Sequence, residues 1–362
     1  MIPLTVGTRA EAPDRPAVLD GSRFNRHTFW CGQSGSGKTY ALGVVLEQLL
    51  LETELPLAVF DPNADFTELA RTRDDVSPAD AARWGELDIR VFHSSTPREP
   101  QLRIRYIDLS VRSKASVARL DPIADEEEFN ALLHLDVGPK EFSRDTFLQT
   151  LAASSDPARR RLGLRIDNLG ILDWPLWAFG GASVTAEVEQ RPPVVVLDVG
   201  GFSHPAEPQA AALGILEDLW ERRMDRRPVL IVIDEAHNFC PPVPRSSVEA
   251  QLTEQLIQIA AEGRKFGLWL FLSTQRPTKI HPNVLSQCDN LGLMRMNSPR
   301  DLAELADVFG FVPRQLLEQS PSFRKGEALF AGSFTDEPQL VRIGRRLTVE
   351  GGSDLSVAAR SA

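Results

Sequence analysis

Little in this chain could cross-link, chelate or span a membrane. Cysteine occurs only three times in 362 residues, at Cys31, Cys240 and Cys288, with no Cys-x-x-Cys pair, so neither a disulfide framework nor a zinc site is indicated. The longest apolar stretches, such as Val194–Leu197 and Val229–Ile233, have strand length and fall far short of the roughly 20 residues of a membrane helix. No basic-then-apolar leader opens the sequence, so the expected location is cytoplasmic, without membrane contact. A basic excess is also lacking. Forty Lys and Arg against fifty Asp and Glu give a formal charge of −10, whereas generic nucleic-acid binders are usually basic. Contact with nucleic acid would fall to local clusters: Arg159-Arg160-Arg161 with Arg165, then Arg222, Arg223, Arg226 and Arg227, then Arg324-Lys325. Each reads equally well as a solvated surface. Internal repeats and low-complexity segments are absent, and 42% hydrophobic with 25% charged residues is an ordinary globular composition.

What is present begins at residues 32–39, Gly32-Gln33-Ser34-Gly35-Ser36-Gly37-Lys38-Thr39. This is the G-x-x-x-x-G-K-[ST] spacing of a P-loop. The glycines let successive N–H groups turn inward on phosphate oxygens. Lys38 is placed to reach the β- and γ-phosphates, and the Thr39 hydroxyl to ligate Mg2+. The strand-like His27–Cys31 precedes the loop and the helix-forming Tyr40–Leu51 follows it, so the anion would meet a helix N-terminus. ATP and Mg2+ are the expected cofactors.

Val229–Ile233 reads as a strand buried on both faces, and Asp234-Glu235 stands where it emerges. Ligands of open α/β sheets bind at the carboxyl ends of strands. Asp234 there suits a metal ion and Glu235 a general base acting on water. A third apolar run, Leu268–Leu272, turns polar at Ser273-Thr274-Gln275, and Gln275 could bond the γ-phosphate or the attacking water. Between these strands a helix is expected over about 247–262, stopped by Gly263. Arg264, on the following turn, could act on the phosphate of a neighbouring subunit, or simply favour a helix C-terminus. Arg295, closing the run Leu291–Met296, is a second candidate for that work.

These residues, with Val59–Phe66, Glu262–Gly267, Gln287–Asn290, Arg295–Asp301 and Gly326–Ala328, resemble the HerA–FtsK superfamily, and within it the HerA-type ATPases. The resemblance covers residues 24–70 and 190–345. It implies a homo-oligomeric ring, hexameric in such proteins, that threads or pumps DNA with ATP, sometimes beside a nuclease or other effector. It also implies Lys38 and Thr39 on phosphate and Mg2+, Asp234 on the metal, Glu235 as base, Gln275 as sensor, and Arg264 or Arg295 completing a neighbour's site. Archaeal members carry a small β-barrel before the P-loop; about 25 residues precede the P-loop strand here, too few for one.

The expected architecture is α/β: a RecA-like P-loop NTPase with a mostly parallel sheet, helices on both faces and a mainly helical insertion. No G-x-G-x-x-G follows the first strand, which excludes a Rossmann dehydrogenase. The expected divisions are an N-terminal arm over 1–23, a core over 24–111 and 190–346, an insertion over 112–189 and a flexible tail over 347–362. Strands are expected at Ile89–His93 and Leu102–Asp108, and helices at Ala115–Ala131 and Phe142–Ala153. Two functions fit: a ring motor on DNA, or a switch or assembly ATPase whose nucleotide state gates a partner in antiviral defence or secretion. A vestigial site does not fit a full set of Lys38, Thr39, Asp234, Glu235 and Gln275.

Overall fold

A computed structural model describes residues 1–135 and 143–352. The chain runs β1 (Pro3–Arg9), β2 (Ala12–Asp20), β3 (His27–Cys31), α1 (Lys38–Glu52), β4 (Leu57–Asp61), α2 (Pro78–Gly85) and β5 (Ile89–His93). Five helices follow: α3 (Val111–Val117), α4 (Glu126–Leu133), α5 (Arg144–Ala152), α6 (Pro157–Asn168) and α7 (Val184–Glu189). Then come β6 (Val194–Asp198), α8 (Glu207–Glu221), β7 (Val229–Ile233), α9 (Ser247–Glu262), β8 (Leu268–Thr274) and α10 (Pro282–Leu285). The last elements are β9 (Cys288–Met294), α11 (Pro299–Val308), α12 (Arg314–Glu318), β10 (Glu327–Gly332) and β11 (Gln339–Ile343).

Among the described residues the strands form one sheet, ordered β2-β1-β11-β10-β9-β3-β8-β7-β4-β6-β5. From β9 to β5 all pairs are parallel; β10, β11, β1 and β2 continue antiparallel. The central strands are continuous apolar runs because both faces are covered. Their pleat divides the core: Phe29, Cys31, Phe60 and Ile231 face α8, α9 and the helical insertion. Trp30, Val59, Val232 and Phe271 face α1. Parallel pairing brings the carboxyl ends of β3, β8, β7 and β4 to one edge, where ligands of such sheets bind.

Several local expectations are corrected. Residues 1–23 are no detached arm: Leu4 and Val6 are buried, and β1 pairs with β11. Pro13 and Pro16 lie on β2, an edge strand, where a missing N–H is tolerated. Leu102–Asp108 is not a strand. Leu102, Ile104 and Tyr106 are buried, but Ile104 N–H donates to Leu176 O in a loop, and Tyr106–Asp108 is a 3-10 turn. The run Ala115–Ala131 splits into α3 and α4 at Asp121-Pro122, where the Asp121 carboxylate accepts the N–H groups of Ile123 and Ala124. Phe142 lies outside the described residues. α9 does end at Glu262 with Gly263 as its C-cap, as expected, and a 3-10 turn, Gly263–Phe266, then runs to Gly267 at φ 82°.

The segment 347–352 packs rather than floats, while 353–362 lies outside the described residues. Glu47 of α1 accepts the backbone N–H of Leu347 and Thr348 at 2.8 and 2.9 Å. Arg346, fully buried, reaches Glu47 at 3.5 Å and lies 5.4 Å from the Phe66 ring. Gly43 of α1 admits this arginine, since a Cβ there would stand 2.7 Å from the guanidinium carbon. No helix among the described residues is long and apolar enough to cross a membrane.

Candidate functional site

The loop between β3 and α1 is bound to its surroundings through backbone. Gln33 N–H donates to Arg295 O at 2.9 Å, and Gly326 N–H donates to Ser36 O at 3.0 Å. Gly37 caps α1 in the left-handed region, φ 91°, with no side chain on the first-turn N–H groups. A side-chain cap there would compete with an anion; its absence leaves donors and the helix dipole available to phosphate. The loop opens on a cavity of about 720 Å3, lined also by Lys38, Thr39, Asp65 and Gln275.

Beneath the loop the polar ends of β7 and β8 meet the first residue of α1. Lys38 Nζ donates to Asp234 Oδ1 at 2.5 Å and to Ser273 Oγ at 2.9 Å, and lies 3.6 Å from Glu235 Oε1. Burial alone would lower the Lys38 pKa, but the Asp234 and Glu235 charges outweigh it and raise it. Asp234 is fully buried, and its Oδ2 has no hydrogen-bond partner. Such an orphaned carboxylate oxygen beside the Thr39 turn fits a cation. Among the described residues no three metal-ligating side chains cluster, so an ion would complete its shell with water and phosphate oxygens.

Glu235 adopts φ 44°, ψ 46°, a left-handed conformation that costs energy for a residue with a Cβ and is common at functional sites. Gln275 Nε2 donates to its Oε1 at 2.6 Å. His237 Nδ1 lies 3.2 Å from its Oε2 and 3.0 Å from Thr274 Oγ1. Burial would raise the Glu235 pKa, but His237, Lys38 and Gln275 together lower it to about 2. Across the cavity Asp65 goes the other way, raised to about 7 by burial and by Asp61 and Asp234.

The structure therefore brings Lys38, Thr39, Asp234, Glu235 and Gln275 to one edge. Arg264 is elsewhere. It precedes β8, so a seven-residue strand, roughly 23 Å, separates it from Gln275. There it pairs with Asp289 at 2.5 Å. Arg295 lies on the P-loop side, holding Gln33 through its carbonyl, and its Nε is buried without a partner. His237, Ser273 and Asp65 were given no role from sequence, although Ser273 and Asp65 stand within the runs Ser273–Gln275 and Val59–Phe66. Lys325, taken as a basic-cluster residue, lines the cavity. The other basic clusters are largely engaged by their own surface: Arg165 with Asp125 and Glu128, Arg161 with Glu127, Arg222 with Glu189, and Arg223 over Trp220.

Sheet order and site together define a RecA-like P-loop NTPase. A model of the HerA helicase central domain matches residues 4–160, a stretch that holds the P-loop and ends before Asp234. The probable DNA double-strand break repair helicase HerA of Methanocaldococcus jannaschii is 34% identical over 131 residues, 36% of this chain and 25% of that protein. HerA of Pyrococcus furiosus is 34% identical over 116 residues, 32% of this chain and 20% of the relative. The matches thus span about a quarter or less of these relatives. Among solved structures, VirB4 of Thermoanaerobacter pseudethanolicus shares the fold at TM-score 0.66 and 14% identity, covering 94% of this chain and 96% of that one. The plasmid coupling protein TrwB, solved with the GTP analogue GDPNP, does so at TM-score 0.56 and 13% identity, covering 94% and 89%. Over residues 4–160 the chain is similar to the HerA helicase central domain, and its fold is that of P-loop ATPases.

Proposed function

We propose that the chain hydrolyses ATP as one subunit of a ring motor that moves or unwinds DNA. The observation that carries this reading is that Lys38 and Gln275 line the cavity at the P-loop and bond directly to the buried carboxylates of Asp234 and Glu235 behind them. Lys38 leaves Asp234 for the β- and γ-phosphates as ATP enters. Thr39 and Asp234 would hold Mg2+, whose positive charge would offset charge developing on the phosphates. Glu235 accepts a proton from the attacking water, the new P–O bond forms at the γ-phosphorus, and the bond to the β–γ bridging oxygen breaks. A base works best with a pKa near the working pH. The loss of Lys38 as a neighbour moves Glu235 upward from about 2 in that direction. Gln275 and His237 fix the carboxylate's orientation. Arg264 lies too far from its own P-loop to help, so in a ring it would serve a neighbouring subunit; Arg295 remains beside its own site.

A second reading is a partner-gated switch, with a nuclease or another effector as its output. The self-paired arginine clusters favour it, because little free basic surface is left for DNA among them. Steady-state ATPase with duplex or single-stranded DNA, at low and moderate salt, separates the two, with Glu235→Gln as the blank. DNA stimulation that fades with salt is expected of the motor, since phosphate contacts are salt-sensitive. Turnover indifferent to DNA selects the switch.

A further inference from the structure

Asp61 and Asp65 belong to the turn after β4, the strand beside β7 in the sheet. Asp61 is fully buried and spends its carboxylate on that turn. Its Oδ1 accepts Asn63 N–H at 3.3 Å and Asp65 N–H at 3.0 Å, and its Oδ2 accepts Phe66 N–H at 2.8 Å. Gly351 N–H, from the packed C-terminal segment, closes the turn from outside by donating to Asp65 O at 3.0 Å. The backbone of Asp65 is thereby fixed from both sides. Its carboxylate accepts no hydrogen bond from the described residues, and it lines the cavity that holds Lys38 and Thr39.

Two features point to a ligand. Asp65 lies in the field of the Asp234 carboxylate as well as of the Lys38 ammonium. The second oxygen of Asp234, on a side chain with no solvent exposure, is also unpartnered. Asp234 bonds the Lys38 ammonium from behind while Asp65 lines the cavity beside it, and two carboxylates about one site repel unless a cation balances them. The ammonium of Lys38 fills that role here, and it is the group that a triphosphate would draw away.

Resting on the ATP-site reading above, we infer that Asp65, on the cavity wall with Lys38 and Thr39 and positioned by Asp61, is a second carboxylate for the divalent cation. Because no three-residue metal cluster exists among the described residues, the cation binds with the nucleotide rather than before it. Asp65 acts on the ion directly or through one of its waters, and leaves the P-loop's own hold on phosphate untouched.

The test is the affinity of the full chain for a fluorescent ADP in Mg2+ and in EDTA, paired with Mn2+ binding followed by EPR with and without ADP. In wild type, Mg2+ should tighten ADP, and Mn2+ should bind only when ADP is present. Asp65→Asn should lose about ten- to hundredfold of the Mg2+-dependent part, the range for partners that tune a metal site, with no loss of affinity in EDTA, where removing a like charge can only favour the anion. Asp65→Glu should regain part of the loss and guards against a folding defect in the amide. Equal Mg2+ dependence in wild type and Asp65→Asn would overturn the assignment while leaving the ATP site standing. A wild type that binds no nucleotide under either condition would overturn both.

Discussion

Lys38→Ala is the usual way to silence a P-loop, and here it should also damage the fold. The lysine ammonium is 4% exposed, 2.5 Å from an Asp234 carboxylate that is 0% exposed, and 3.6 Å from Glu235 at 7%. Removing it strands two buried carboxylates side by side. Breaking a buried pair from one end costs about 3–5 kcal/mol, a large share of the roughly 5–15 kcal/mol that holds a typical domain folded. Urea unfolding without nucleotide should show a clear drop in midpoint with the slope preserved. Added salt should not erase the drop, because the pair is shielded from solvent.

The same pair gives an internal control. Asp234→Asn removes the charge that Lys38 balances, so the Lys38→Ala/Asp234→Asn double variant should recover part of the loss. A coupling of about 1–3 kcal/mol is expected for groups in one buried network. Asp234→Asn alone should also release Lys38 toward phosphate, tightening Mg2+-free ATP by about tenfold for each 1.4 kcal/mol freed. A Lys38→Ala protein as stable as wild type, with purely additive variants, would refute the view that this ammonium neutralises the site.

The remaining predictions test other parts of the same framework. Glu235→Gln should bind ATP yet turn it over about 10^2- to 10^4-fold more slowly; normal turnover would move the base elsewhere. Glu47→Ala removes the partner of buried Arg346 and the acceptor for Leu347 and Thr348 N–H, so thermal unfolding should show a loss of about 3–5 kcal/mol. Burial, together with neighbouring carboxylates, raises Asp61 to about 6 and Asp65 to about 7. These acids ionise more easily in the unfolded chain, so their contribution turns against folding as pH rises from about 4 to about 7. Asp65→Asn should therefore stabilise the chain more at pH 8 than at pH 5, by about 1–2 kcal/mol after solvent screening; equal differences at both values would contradict this.

The core of the fold was legible because its strands are written as unbroken apolar runs, and the P-loop because its glycine spacing is rigid. Asp234, Glu235 and Gln275 could be placed from the rule that strand ends face the ligand. What escaped had weaker local signals. β1 and β2 carry Pro3, Pro13 and Pro16, which argue against a strand until the edge position and the pairing with β11 are known. Leu102–Tyr106 alternates like a strand, yet its backbone partner is a loop 70 residues onward. Asp65 looked like part of a motif without a task, since only the Asp61 turn shows which way it is held. The arginine clusters looked available for DNA because their acidic partners, such as Glu127 for Arg161 and Glu189 for Arg222, lie more than thirty residues away in sequence.

Charge balance ties the site to assembly. Asp65 and Glu350 line the cavity, Asp234 and Glu235 stand behind Lys38, and the cations that line it among the described residues are Lys38 and Lys325. A triphosphate adds further negative charge, and the transition state spreads it over the γ-phosphoryl oxygens. In the proposed ring, Mg2+ would meet part of that demand and a neighbour's Arg264, once released from Asp289, the rest. Turnover per chain should therefore rise with protein concentration until rings are complete. Subunits carrying Arg264→Ala should regain activity when mixed with Lys38→Ala subunits stable enough to assemble, since each supplies what the other lacks. A rate per chain that is independent of concentration, together with no rescue on mixing, would place the missing cation within one chain, where Arg295 beside the P-loop is the residue to test next.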